Sequence, residues 1–350
     1  MIDRRHRKQR GFSLIEIMVG VVIGMIAILV IYQVFAAAEG IKRNTTSVGD
    51  AQQNGLLSSF ILSIELQNAS NGVAYATKEL DNCRPTASAA TSFQPIPVLI
   101  TDGGADATPD AFVVNYSTSQ RLVATAPFTA SAAPGADYIV QSPLGFKVGD
   151  IILAIGMSGT KNSDCAPSRV TAVAGPDVNG VVTISHTGAA FNFGNDAQLM
   201  NLGPKNSGQR VAYDVSGGTL RSKALWDDTG AALASPVPNP VASNIVNMKL
   251  LYGIDNGAGG VDWKPATGQW TAANVLAAGI SQLGKIRAVR IGFVVQGEQF
   301  DKAKRDYDLL HPPTWSLFDG TYTGPLTEGF RYRTYEMTIP LRNPIWNPVA

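Results

Sequence analysis

The stretch Arg10-Gly11-Phe12-Ser13-Leu14-Ile15-Glu16 is the most informative part of the chain, because a basic leader there abuts an apolar segment with a single carboxylate near its start. Residues 1–10 carry five Lys and Arg side chains and one acid, Asp3, whereas residues 17–38 carry no charge at all. At about 1.5 Å per helical residue, this uncharged run spans roughly 30 Å, the thickness of the hydrocarbon core of a bilayer. The basic leader predicts a cytoplasmic N-terminus, with everything after Ala38 on the opposite side of the membrane.

The position of the motif separates this segment from an ordinary secretory signal. An ordinary signal is cut after its apolar region, so that cleavage removes the hydrophobic segment. Here GFSLIE precedes the apolar region. The junction resembles the class III signal of type IV pilins and type II secretion pseudopilins. That resemblance implies that a membrane-embedded prepilin peptidase cuts after Gly11 and methylates the new amine of Phe12, and that Glu16 is an assembly contact.

Glu16 also has a physical interpretation of its own. An acidic side chain within a membrane helix costs on the order of 3 kcal/mol on insertion scales, and such residues mark a function or a partner. After cleavage the nearest cation is the amine of Phe12, about one helical turn away. In a helical bundle the same carboxylate can meet the amine of a neighbouring subunit, the role that the resemblance implies. The alternative is that Glu16 only snorkels toward the cytoplasmic headgroups.

The composition is that of an anchored globular protein. The chain has 350 residues, of which 45% are hydrophobic and 16% are charged, enough apolar residues for a large core. The net charge is +1, and its excess comes from the leader, so we predict no direct nucleic-acid binding.

Cys83 and Cys165 are the two cysteines of the chain, and both follow the membrane segment. A pair of cysteines in an oxidising compartment predicts a disulfide, which would stabilise the fold by roughly 4 kcal/mol on the chain-entropy model. The alternative, a metal or redox pair, lacks the close spacing of such sites.

The periodicity predicts one long helix followed by a β-rich domain. After Gly40 an apolar helical stripe runs through Leu57, Phe60, Ile61 and Ile64, and we expect this stripe to be covered. Glycines at positions 40, 49 and 55 would loosen the helix, and the turn-rich residues 68–72 would end it. The predicted units are a cleaved leader (1–11), a transmembrane or filament-core helix (12–38), an amphipathic periplasmic half (39–71) and a β-rich periplasmic domain (72–350).

The sequence of the domain predicts a succession of short strands bounded by Gly, Pro, Asn and Asp. A turn at Ser216-Gly217-Gly218 predicts a hairpin between residues 210–215 and 219–221. A short helix is predicted over residues 271–283. The other predicted strands are residues 111–116, 150–155, 169–173, 181–185, 246–252, 288–295 and 331–341.

A helix followed by an antiparallel sheet is α+β, the layout of the pilin fold, but the chain is longer than a typical major pilin, so we expect insertions. The order of several stretches is similar to that of the PilW-like minor pilins, relatives of the large J-type pseudopilins. These stretches are GDIIL at 149–153 before Cys165, the hairpin with Tyr213 and Leu220-Arg221, LYGID at 251–255, VRIG at 289–292 and TIPLRN at 338–343.

One loop has the residue types of a calcium site. Residues 255–262 combine acidic and amide oxygens with glycines, and PilW-like proteins resemble a DxDxDG pattern here. Gly257 and Gly259 replace two of the expected oxygen ligands, which leaves Asp255, Asn256 and Asp262 as candidates. We therefore predict a Gly-rich turn without calcium, and no other cofactor.

The sequence gives little support for an enzyme. After the leader only His186 and His311 remain, outside any metal-binding spacing, and we expect both on the surface or in loops. The chain has no GxSxG elbow, P-loop or dinucleotide fingerprint. The acid groups at 227–228 and 301–308 are interpreted as solvated loops.

The resemblance implies a minor pilin at or near the tip of a type IV pilus, which helps to prime assembly and supports adhesion, twitching motility or DNA uptake. Its implied partners are the prepilin peptidase, other minor pilins and the major pilin, with a large tip adhesin as a further candidate. Its implied location is the inner membrane before assembly and the pilus tip afterwards. The alternatives are a J-type pseudopilin of a type II secretion system and a membrane-anchored periplasmic binding module that does not assemble.

Overall fold

The computed structural model describes residues 12–72, 96–118, 125–141, 145–156, 165–188, 191–204, 207–227, 232–277, 280–318, 320–323 and 326–342. Within these ranges one long helix precedes a β-rich domain, so the architecture is α+β, as predicted. Helix α1 spans Leu14–Asn68, and no glycine interrupts it. The chain turns where the sequence predicts a stop, with positive φ angles at Ser70 and Gly72.

Two antiparallel sheets form the body of the domain together with the second half of α1. The five-stranded sheet contains, in spatial order, β1 (Val98–Thr101), β2 (Ala111–Ser117), β9 (Gly208–Ser216), β10 (Thr219–Ala224) and β11 (Pro238–Ser243). The four-stranded sheet contains β13 (Val261–Pro265), β12 (Ile245–Asp255), β14 (Ile286–Gln296) and β17 (Tyr332–Pro340). A single apolar core joins both sheets to α1.

The β9–β10 hairpin shows how local sequence sets register in the sheet. Ser216 lies opposite Thr219, so the loop consists of Gly217 and Gly218. Their φ angles of 57° and 70° are those of a type I′ turn, which few residues other than glycine adopt at both positions. The predicted hairpin is confirmed.

Strands β12 and β14 are the buried centre of the four-stranded sheet, as their apolar runs predict. Within the described residues, three short helices, a 3₁₀ turn and a small hairpin connect and flank the sheets. They are α2 (Ala272–Ala277), α3 (Ile280–Leu283), α4 (Lys302–Asp308), the 3₁₀ turn Gly268–Trp270, and the hairpin of β15 (Thr314–Leu317) and β16 (Gly320–Thr323). The helix predicted at 271–283 is seen as α2 and α3, and residues 278–279 between them lie outside the described residues.

A six-stranded unit is inserted between β2 and β9, which are themselves paired neighbours. Its strands, in spatial order, are β3 (Ala126–Pro127), β8 (Gln198–Gly203), β5 (Ile151–Ile155), β6 (Cys165–Ala174), β7 (Val181–His186) and β4 (Tyr138–Gln141). A bridge between Phe128 and Val140 joins the two end strands, so the sheet closes on itself and leaves little open edge.

Strand β5 shows how this insertion is attached. Ile152 and Ala154 point into the closed sheet, toward a cluster that includes Tyr138 and Phe193. The intervening residues of β5 point the other way and form a second cluster with Trp226. Because alternate residues of a strand face opposite sides, one strand serves both cores.

Candidate functional site

The N-terminal junction lies at the exposed start of α1. Gly11 and the rest of the leader lie outside the described residues, so the predicted cleavage remains a prediction. Phe12 is 83% exposed. Glu16 accepts a hydrogen bond of 3.3 Å from the backbone N–H of Ser13, at the N-cap of the helix. The carboxylate therefore has a donor within its own first turn in the isolated subunit.

The first half of α1 is bare, in the sense that no other part of the described structure covers it. Its large apolar side chains from Leu14 to Phe35 are each at least half exposed, and none packs on the domain. The helix is long and apolar enough to cross a membrane by length and composition. This surface agrees with the predicted membrane or filament-core role of residues 12–38.

The second half of α1 packs on the sheets, but through the face opposite to the predicted one. The predicted stripe is largely exposed: Phe60 is 63% exposed, Leu57 44% and Ile64 42%. The expectation that this stripe packs on the domain is therefore wrong. The buried face consists of Ser47, Ala51, Gly55, Ser58, Leu62 and Leu66.

The small residues on the buried face explain the reversal. At Gly55 an added Cβ would lie 2.2 Å from Cε2 of Tyr335, so the ring of this β17 residue rests directly on the helix backbone. A larger side chain at this turn would hold the helix away from the sheet. The bulky apolar residues are left on the far side, and we call Leu56, Leu57, Phe60 and Ile64 the outer face.

The end of α1 is held to the five-stranded sheet by a partly buried polar contact. The hydroxyl of Tyr116 on β2 donates to Glu65 over 2.8 Å. Burial raises the pKa of Glu65, although hydrogen bonds from Tyr116 and Tyr213 counteract that effect. Burial and the nearby Glu65 carboxylate raise the pKa of both tyrosines, so their hydroxyls remain donors at neutral pH.

A buried ion pair attaches the loop before β2 to strand β12. Nζ of Lys249 lies 3.2 Å from Oδ1 of Asp110, and both side chains are less than one-tenth exposed. Asp110 also accepts from the backbone N–H groups of Gly103 and Leu250. Burial raises the pKa of Asp110, and these hydrogen bonds and the lysine oppose the shift. This pair was not predicted, because its members lie far apart in sequence and have no motif.

Cys165 is buried at the start of β6 and is not a free thiol. Its predicted partner, Cys83, lies outside the described residues. The pairing therefore remains a prediction.

The candidate calcium loop connects β12 and β13, and its oxygens already have donors. Asp255 accepts from the backbone N–H of Gly257 and from Nε of Arg287, and these two contacts lower its pKa. Asn256 Oδ1 accepts from two backbone N–H groups of the same turn. Asp255 pairs with Val261, and Asp262 is the next residue of β13. Because alternate residues of a strand face opposite sides, the two carboxylates point to opposite faces of the hairpin. The three candidates thus do not converge on one point.

The remaining polar candidates have structural contacts. His186 stacks on Tyr138 and is half-buried, whereas His311 is exposed and stacks on Tyr307. Asp301 caps α4, and Asp308 is buried, so the interpretation of residues 301–308 as a solvated loop is wrong. Asp228 lies outside the described residues. Over the part of the chain that the structure describes, no three His, Cys, Asp or Glu side chains are grouped as metal ligands.

Comparisons with known proteins match the N-terminal junction and the C-terminal part of the chain. Residues 6–32 match the family model of the prokaryotic N-terminal methylation motif, and residues 212–343 match that of the type IV pilus-assembly protein W, PilW. The type IV-like pilin TTHA1219 from Thermus thermophilus aligns with 57% of this chain and 85% of its own, at 12% identity and a TM-score of 0.25. No curated protein matches the chain. The predicted resemblance to type IV pilin-like proteins and to PilW is confirmed, and the matched families are structural pilins.

Proposed function

We propose that this chain is a minor pilin, a non-enzymatic structural subunit at or near the tip of a type IV pilus, which helps to prime assembly. The observation that carries the proposal is the uncovered apolar surface of α1, which consists of the bare first half and, beyond a largely polar stretch at residues 42–55, the outer face. Apolar surfaces of this extent on a helix that otherwise packs on its own domain are typical of an interaction site.

Lipid alone does not account for the outer face. Leu56 lies 18 residues beyond Ala38, and Ile64 lies 26 residues beyond it, so at 1.5 Å per residue the outer face is about 27 to 39 Å past the apolar run. The polar layer on each side of the hydrocarbon core is only about 5 to 7 Å thick. The outer face is therefore beyond the bilayer and available to another protein. Helices of neighbouring subunits in a filament would cover it.

The proposal includes the processing and the partners. A prepilin peptidase cuts after Gly11 and methylates Phe12, and the subunit remains in the inner membrane with its domain in the periplasm until assembly. Glu16 then exchanges the donor in its own helix for the amine of an adjacent subunit. The subunit's partners are other minor pilins and the major pilin, with a large tip adhesin as a further partner, and the filament serves adhesion, twitching motility or DNA uptake.

The outer face provides the first test. Phe60→Ser removes an exposed ring, so it should leave the thermal unfolding midpoint unchanged while lowering recovery of the subunit in sheared filaments. Val178→Ser is the matched control, because Val178 is fully exposed on the inserted unit, away from α1. Equal recovery of both variants at the level of the unmodified protein would contradict the proposal.

Glu16 provides the second test. Glu16→Ala should leave the chain cleaved, membrane-inserted and folded, because its only described contact is within the first helical turn, but it should reduce co-purification with other pilins. Glu16→Gln should behave like Glu16→Ala if the charge matters. If both variants assemble at the level of the unmodified protein, the Glu16 carboxylate is not an assembly contact.

A further inference from the structure

The chain contains four Asn-Gly pairs, at residues 54–55, 71–72, 179–180 and 256–257. An asparagine that precedes glycine can react with its own main chain. The backbone nitrogen of the glycine attacks Cγ of the asparagine, and a cyclic succinimide forms as ammonia leaves. Glycine favours this attack because it has no Cβ to hinder the approach. The groups around the attacking nitrogen and the amide oxygen decide which pair reacts.

The attacking nitrogen of Gly257 is hydrogen-bonded to a base. Its N–H donates to Oδ1 of Asp255 over 2.9 Å, which is within the reach of a general base on the proton that it removes. The other carboxylate oxygen lies 3.2 Å from Nε of Arg287. The Gly257 contact and the cations Arg287 and Lys285 lower the pKa of the Asp255 carboxyl, so it is ionised at neutral pH.

The amide oxygen of Asn256 is held by two donors. Oδ1 accepts from the backbone N–H groups of Ala258 over 2.9 Å and of Gly260 over 3.0 Å. Negative charge develops on this oxygen when a nitrogen adds to Cγ, and fixed donors at such distances stabilise that charge, as in an oxyanion hole. The side chain also rests on Gly260, where an added Cβ would lie 2.8 Å from Nδ2 of Asn256.

The other three Asn-Gly pairs have different surroundings. The pair at 54–55 lies inside α1, where backbone N–H groups bond along the helix. Asn71 donates from Nδ2 to the backbone oxygen of Ser117 over 2.8 Å, which retains the group that would leave. In the exposed turn at 179–180, the Gly180 N–H donates over 3.0 Å to the backbone carbonyl of Asp177, a neutral acceptor.

We propose that Asn256-Gly257 is a site of self-catalysed deamidation, in which Asp255 is the base and the N–H groups of residues 258 and 260 form the oxyanion hole. Asp255 takes the proton from the Gly257 nitrogen as the bond to Cγ of Asn256 forms. The proton is returned to Nδ2, the bond between Cγ and Nδ2 breaks, and ammonia leaves.

Water then opens the succinimide. Attack of water at Cγ gives aspartate, whereas attack at the main-chain carbonyl gives isoaspartate, in which the main chain runs through Cγ. In both products the loop between β12 and β13 gains a negative charge. This chemistry belongs to the loop and does not depend on the proposed function.

Peptide mapping by mass spectrometry measures all four pairs in one sample of the full chain, kept in detergent at neutral pH. Asn256 should deamidate about tenfold faster than Asn179, less than the roughly hundredfold that an enclosed base contributes, because the loop is open to water. Asn54 and Asn71 should remain intact. In guanidinium chloride, Asn256 and Asn179 should react at similar rates, since the contacts of the folded loop are lost.

Asp255→Asn tests the base, because its amide oxygen can still accept the Gly257 N–H and keep the turn. This variant should slow deamidation at Asn256 about tenfold and leave the rate at Asn179 unchanged. Asp262→Asn is the matched control, since Asp262 is exposed on the same hairpin and contacts Lys264. The control should leave both rates unchanged.

The pH profile separates the base from catalysis by hydroxide. At Asn179 the rate should fall in proportion to hydroxide as the pH is lowered from neutral. At Asn256 it should stay nearly level until Asp255 is protonated, and Asp255→Asn should restore the dependence on hydroxide. Equal rates at Asn256 and Asn179 in the folded chain would overturn the proposal. An Asp255→Asn variant with the rate and pH profile of the unmodified protein would also overturn it.

Discussion

Gly55 should be the position on α1 that least tolerates a methyl group. An alanine Cβ there would lie 2.2 Å from Cε2 and 2.3 Å from Cζ of Tyr335, more than 1 Å inside an ordinary contact. The ring cannot retreat freely, because it stacks on Phe293 with centroids 5.5 Å apart. Overpacking of this kind costs about 1 to 3 kcal/mol.

A second glycine of the same helix isolates that cost. Gly49 has nothing within 4 Å of an added Cβ, so Gly49→Ala should only gain the helix propensity of alanine, up to about 1 kcal/mol. Gly55→Ala gains the same propensity and loses the packing. The difference between the two variants in free energy of unfolding should therefore be about 1 to 3 kcal/mol, with Gly55→Ala the less stable.

The comparison requires urea unfolding of the full chain in micelles, followed by tryptophan fluorescence. Trp270 and Trp315 are buried in the domain and report its unfolding. Tyr335→Ala should remove most of the difference between the two glycine variants, since it removes the ring that the methyl group would meet. If Gly55→Ala is as stabilising as Gly49→Ala, the helix does not approach β17 as closely as described.

Three further predictions concern contacts within the domain. Cys83 and Cys165 should be recovered as one cross-linked pair by non-reducing peptide mapping of periplasmic material, and two free thiols would refute the pairing. Lys249→Met should lower the free energy of unfolding by about 3 to 5 kcal/mol, because it leaves the Asp110 carboxylate buried without its cation. Adding Asp110→Asn should restore part of this loss, and strictly additive effects would contradict a direct interaction. Burial raises the pKa of Asp308, but hydrogen bonds from the α4 lysine and a backbone N–H outweigh it and lower the pKa overall. The stability from Asp308 should be present above its unfolded value of about 4 and be lost as the pH falls through the folded value. Asp308→Asn should therefore weaken the dependence of the urea midpoint on pH between pH 5 and 3. An Asp308→Asn variant with the pH dependence of the unmodified protein would contradict this.

Local patterns predicted much of the fold. The uncharged run before Glu39 predicted the bare half of α1, and the turn at residues 216–218 predicted a hairpin, although Ser216 belongs to the strand and not to the loop. These features depend on charge, helical rise and backbone conformation, which are readable within a few residues.

The hydrophobic pattern did not predict which face of α1 packs on the domain. The pattern favours burial of the face with Leu57, Phe60 and Ile64, whereas the domain packs on the face with Ala51 and Gly55. Contact at a glycine depends on how closely a distant strand approaches, and that distance is a tertiary property. The large apolar residues are then available to a partner outside the chain.

Contacts between distant parts of the chain were also missed. The Asp110–Lys249 pair joins segments that are separated by more than one hundred residues. The sequence around a charged residue does not show which distant residue forms an ion pair with it. The closed sheet between β2 and β9 was likewise expected only as an insertion of unspecified form.

Mass spectrometry of filaments sheared from cells decides whether this chain is a processed pilus subunit. We expect the filament fraction to contain the subunit with an N-terminal peptide that begins at Phe12 and carries one added methyl group, and we expect none from cells without the prepilin peptidase. A chain found only in the membrane fraction, with its leader from Met1 intact in cells that have the peptidase, would show that it is not a pilin.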